Sequence, residues 1–121
     1  MYTALVLTPE SQTELRRFLE MYVPDWEILC HHMTINMGPA DKGPAEDYVG
    51  KSATLKVVSL GMDELVMAVG VESEVPSKNT VPHVTVAVNR AEGGKPFLSN
   101  QLENWDDLDG PSLHGVVEEV P

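Results

Sequence analysis

The chain has 121 residues, 42% of them apolar, which suffices for one compact core and is too little for two, so a single domain over residues 1–121 is expected. Eight Lys and Arg stand against 19 Asp and Glu, a formal net charge of −11, which excludes a protein lying along a nucleic-acid backbone, where cations must replace counterions. The single Cys30 excludes an internal disulfide, and with no charged, apolar, small-residue leader the sequence reads as cytoplasmic; no run reaches the ~20 apolar residues that cross a bilayer, so no membrane partner is expected.

Residues 3–8 form a short, nearly continuous apolar run, the pattern of a strand covered on both faces. A helix follows. Thr8 suits its cap and Pro9 its first turn, Leu15, Phe18, Leu19 and Tyr22 repeat as one apolar stripe, and Pro24 stops it. Residues 26–37 read as β, and 38–50, with two Pro and three Gly, as an irregular loop. Two strand-like runs, 52–60 and 65–72, flank Gly61, Met62, Asp63 and Glu64 as a hairpin. Pro82 opens a further strand over 83–88. Beyond Gly93, Gly94 and Pro96, the spacing of Leu98, Leu102 and Trp105 predicts a short amphipathic helix, and 113–120 a last strand. Two halves, each with a helix, predict an α+β fold: compact and bilobal, two antiparallel sheets with a central cleft.

Two of these strands carry the same pattern, His32-Met33-Thr34-Ile35 and His83-Val84-Thr85-Val86. Side chains alternate along a strand, so each His shares a face with the Thr two positions on, while the apolar partners enter the core. If the strands lie side by side or are related by a pseudo-two-fold, two imidazoles and two hydroxyls converge. That set suits in-line displacement at phosphorus. One neutral imidazole takes a proton from water, the other gives one to the departing oxygen, and the threonines hold the non-bridging oxygens. The scheme needs no metal and no cofactor.

Lys78, Arg90 and Lys95 flank the second motif in sequence and are candidates to neutralise a phosphate. Asn36 continues the His32 and Thr34 face, so Lys95, Lys78 and Asn36 complete the candidate substrate-binding set. Alternation places His31 on the face opposite His32, packed or at a rim, and Cys30 on the same face as His32, buried or lining a cleft. His114 lacks a Thr two positions on and reads as structural. Gly93-Gly94-Lys95-Pro96 lacks the spacing of a nucleotide-triphosphate loop, which argues against a kinase or ligase.

The paired motifs resemble the signature of the two-histidine (2H) phosphoesterase superfamily. More closely, residues 30–35 and 82–86, followed by Gly94-Lys95-Pro96 and Ser99-Asn100, resemble the cyclic phosphodiesterase domain of fungal tRNA ligases. The resemblance implies a bilobal α+β fold with the motifs facing each other across a cleft. It implies His32 and His83 as the acid/base pair, Thr34 and Thr85 as phosphate-holding residues, and hydrolysis of a 2′,3′-cyclic phosphate at an RNA or nucleotide end to a 2′-phosphate. Ligase or end-healing proteins would then act in trans. The separation of 51 residues between His32 and His83 is short for the superfamily. Two other readings stay open: a 2H hydrolase of cyclic oligonucleotide signals, as in immune evasion, and a non-catalytic nucleotide-binding module.

Overall fold

The computed structural model describes residues 1–121. Eight strands, β1 (Tyr2–Leu7), β2 (Glu27–Ile28), β3 (His32–Met37), β4 (Ser52–Met62), β5 (Val66–Ser73), β6 (His83–Val88), β7 (Trp105–Asp107) and β8 (Ser112–Val120), accompany one α-helix, α1 (Pro9–Leu19). All belong to one antiparallel sheet, seven of them in the order β2-β6-β3-β1-β8-β4-β5 and β7 beside β4. Because β5 also pairs with β6, six strands close on themselves as a barrel.

This closure overturns the expected bilobal α+β fold with two antiparallel sheets and a helix in each half. There are no two sheets to separate, and closure leaves few open edges, which a strand-rich chain must otherwise protect. The second predicted helix is also absent. Residues Pro96–Gln101 form a 3-10 turn, and Trp105 starts β7 instead, because its backbone finds partners on β4 opposite Gly61. Its indole then lies over that glycine, where any Cβ would collide with the ring.

The barrel interior follows the period-two alternation. Val117, Leu5, Met33, Val84 and Val69 are successive register partners around the wall, and all are buried in one core cluster. Helix α1 adds Leu15 and Leu19 to that cluster. Thr8 caps it as expected, its hydroxyl accepting from the Ser11 N–H at 3.2 Å. The helix ends at Leu19, well before Pro24, so the predicted stripe is narrower: Phe18 is 38% and Tyr22 69% exposed. The long loop contains 3-10 turns at Ala40–Lys42 and Glu46–Tyr48 and seats Ala45 in the core. Strand β4 runs two residues further than expected and β5 starts one residue later, with Asp63 accepting from the N–H groups of Leu65 and Val66 in the turn. No helix is long and apolar enough to cross a membrane.

A Leu5→Ala variant should lose about 3 kcal/mol of unfolding free energy in urea titration, since it opens a cavity in this belt of partners. Loss below about 1 kcal/mol would mean that the belt does not carry the packing described.

Candidate active site

The two His-x-Thr motifs stand on neighbouring strands. Met33 of β3 is the partner of Val84 of β6, antiparallel, so one step outward sets His32 opposite Thr85 and Thr34 opposite His83. With Met33 and Val84 in the core, alternation turns all four outward onto one patch of the barrel's outer wall. A cleft of about 750 Å³ covers that patch and is lined by all four. The side-by-side arrangement is therefore the one adopted. The expected central cleft between lobes is replaced by a groove on a barrel surface.

The backbone beside the first motif breaks the alternation. Cys30 holds a left-handed conformation, φ +52°, which is uncommon for a residue with a side chain. It is clamped from both sides: Cys30 N–H donates to Thr85 O at 3.1 Å, and Leu7 N–H to His31 O at 2.9 Å. Such a kink re-aims neighbouring side chains. His31 consequently lies in the same cleft as His32, their Nδ1 atoms 3.0 Å apart and the rings edge-on, rather than on the opposite face. Cys30 turns into the core, fully buried, with its thiol pushed up to about 11 by desolvation, so it neither lines the cleft nor forms a thiolate at neutral pH.

Each catalytic candidate has a distinct surrounding. Nδ1–H of His83 donates to Val81 O at 2.7 Å, which leaves Nε2 for the cleft. Trp105 supports its ring, centroids 6.1 Å apart, and is seated there because Gly61 leaves room for the indole. Thr85 shares a hydrogen bond with the buried Ser99 hydroxyl at 2.9 Å. Thr34 donates to no protein group; its carbonyl accepts from Ser77 Oγ at 2.8 Å, and Lys78 N–H donates to Ile35 O at 2.8 Å. Those two bonds seat Lys78 in the cleft.

The remaining predicted residues separate. Lys78 lines the cleft and Lys95 does not; Arg90 lines it while paired with Glu27 at 2.5 Å. Asn36 borders the cleft, but its Nδ2 donates to the carbonyls of Met37, Gly38 and Pro39, and its Oδ1 lies against Gly43 with no partner. His114 sits elsewhere, 3.4 Å from the Thr54 hydroxyl, beside a second hollow whose lining includes Glu10 and Glu14. The loop after β5 supplies Lys78 and Asn79 to the cleft, whereas residues 38–50 contribute nothing to its lining. Sequence reasoning missed Trp105, Ser99 and His31. Trp105 followed by two acids gave no strand signal, and a left-handed Cys has none.

Electrostatics set the cleft apart from the rest of the molecule. None of its 15 lining residues is Asp or Glu, although the chain carries 19. Burial lowers the pKa of both imidazoles: His32 falls to about 4, with His31 and His83 adding repulsion, and His83 falls by desolvation against the raising effect of the Val81 carbonyl. Both are thus neutral at pH 7 in the empty protein. No group of three or more His, Cys, Asp or Glu converges as metal ligands.

The model of the fungal tRNA ligase phosphodiesterase domain matches residues 22–119. The chain belongs to that family. The resemblance to the tRNA-ligase phosphodiesterase domain is therefore shown, and with it a phosphodiesterase role in general. The matched span contains β2 through β6, hence every residue of both motifs. No curated protein and no solved structure matches the chain.

The depressed histidines make stability depend on pH. A His whose folded pKa lies below 6.5 is protonated first in the unfolded chain, so stability rises with pH from about 4 to 6.5 and is lost on acidification. His32 contributes at most about 3 kcal/mol across that window. Urea titrations at pH 4.5 and 7 should show a smaller pH difference in His32→Asn than in wild type; equal differences would exclude a buried neutral His32.

Proposed function

We propose that the domain hydrolyses the 2′,3′-cyclic phosphate of an RNA or nucleotide end, without a metal, by two-histidine acid/base catalysis of the 2H type. The observation that carries this reading is the convergence of two imidazoles and two threonine hydroxyls in a cleft that excludes every carboxylate and admits Lys78. A cyclic phosphodiester carries one negative charge, and the cleft offers it hydrogen-bond donors and a cation.

In this scheme His32 is the base. Its lower pKa keeps Nε2 unprotonated, and Nε2 takes a proton as a water oxygen forms its bond to phosphorus. His83 is the acid. The Val81 carbonyl that accepts from its Nδ1–H supports the imidazolium, and Nε2–H protonates the 3′ oxygen as its bond to phosphorus breaks. A 2′-phosphate and a free 3′ hydroxyl result. Thr34 and Thr85 hold the non-bridging oxygens, and Lys78 balances their charge. Such an end is a substrate for ligase-type proteins acting in trans.

The test is product analysis with chelator present, using nucleoside 2′,3′-cyclic phosphates, a cyclic-phosphate-ended RNA and cyclic dinucleotides. Wild type should open the 2′,3′-cyclic ends, and His32→Ala and His83→Ala should each lose about 10²- to 10⁴-fold in kcat. Turnover of cyclic dinucleotides alone would assign signal degradation instead, and binding without turnover a sequestering module. Restoration of a chelator-silenced enzyme by a divalent ion would remove the mechanism.

Removing the Lys78 charge should raise KM about tenfold with little change in kcat, since it acts on the bound anion in ground and transition states alike. The pH profile of kcat/KM should be a bell whose maximum lies below 6.5. It falls at low pH as His32 gains a proton near 4 and at higher pH as His83 loses its own. A maximum above pH 7 would refute this assignment.

A further inference from the structure

His31 has no part in the scheme above, yet the chain adopts an uncommon backbone to place it. Cys30 at φ +52° is the only non-glycine residue with positive φ. Strained positions persist where surrounding structure over-determines them, and they cluster at functional sites. Here the strain brings two sequence-adjacent imidazoles, which a regular strand would turn to opposite faces, within 3.0 Å at their Nδ1 atoms.

We propose that His31 is a positioning residue: its Nδ1 accepts the Nδ1–H of His32 and so fixes the His32 tautomer whose Nε2 lone pair faces the cleft. Two nitrogens at this distance share one hydrogen, so one ring must donate and the other accept. His31 is the exposed member of the pair, and an imidazole in contact with water favours hydrogen on Nε2, which leaves its Nδ1 free to accept. His32 is mostly buried, and the nitrogen that carries its hydrogen is set by the bond the other atom makes. Tyr2 also packs near the His32 ring, centroids 5.1 Å apart. His31 thus takes the place that a carboxylate holds in a hydrolase triad, orienting the base and selecting its tautomer. A neutral acceptor does this without adding an anion to a cleft that must receive a phosphate.

The assignment of catalysis to His32 rests on the proposed function; the tautomer does not. The first measurement is therefore nitrogen NMR of histidine-labelled protein at pH 7.5, which reads the tautomer of each ring with no substrate. In wild type, His32 should carry hydrogen on Nδ1 and show a bare Nε2. In His31→Ala a substantial fraction should move to the Nε2–H form, and in His31→Asn, whose side-chain oxygen accepts a hydrogen bond, the Nδ1–H form should be retained. On the cyclic-phosphate substrate, His31→Ala should lose about 10- to 10²-fold in kcat at similar KM, and His31→Asn should recover most of it. A His32 that is Nε2–H in wild type, or unmoved in His31→Ala, overturns the proposal. If the tautomer moves as described while wild type shows no turnover, the positioning role stands and the proposed function fails.

Discussion

Met33 and Val84 are register partners at the centre of a closed barrel, and both are fully buried. Everything chemical about this domain depends on that pair. Because neither can leave the interior without opening a cavity, the residues on either side of each are committed to the outer wall, and two motifs distant in sequence become neighbours. A shift of one residue in either strand would carry an imidazole into the core and an aliphatic side chain into the cleft. The core and the site are thus fixed by one register, so a variant that slips there loses both together.

Legibility in the sequence followed locality. The His-x-Thr pattern could be read because alternation is a property of a single strand, and the Thr8 cap and the strand over 83–88 are equally local. Barrel closure could not: it depends on β5 meeting β6 as well as β4, and alternation in each strand suits two open sheets as well as one closed one. Trp105 shows the same limit from the other side. Its spacing with Leu98 and Leu102 suits a helix, but the bare Gly61 makes a recess for its indole that only the folded sheet reveals. His31 was misplaced because the alternation rule assumes extended backbone, and Cys30 departs from it.

The two histidines are chemically alike and structurally unlike. One leans on a carbonyl, which favours its protonated form; the other leans on a second imidazole, which does not. Since burial disfavours charge on both, the empty cleft holds neutral rings in a polar recess. An arriving anion reverses the balance, raising the affinity of both for a proton, and the ring with the carbonyl partner is the better placed to take it. In the proposed mechanism acid and base are then distinguished by their neighbours, as where paired catalytic groups have their pKa values pushed apart by environment.

The same reasoning reconciles an acidic protein with an anionic ligand. Nineteen carboxylates surround the molecule and none lines the cleft. At physiological salt a charge is screened over about 8 Å, so in the proposed binding mode a phosphate held by Thr34, Thr85 and Lys78 feels those donors more than the acids outside the cleft, of which Glu27 is already paired with Arg90. A long polyanion has no such shelter, because each further phosphate lies outside the cleft on a chain of net charge −11. The charge distribution therefore suits the proposed substrate, a phosphodiester at one end of a chain or in a small molecule, better than a ligand bound along its length.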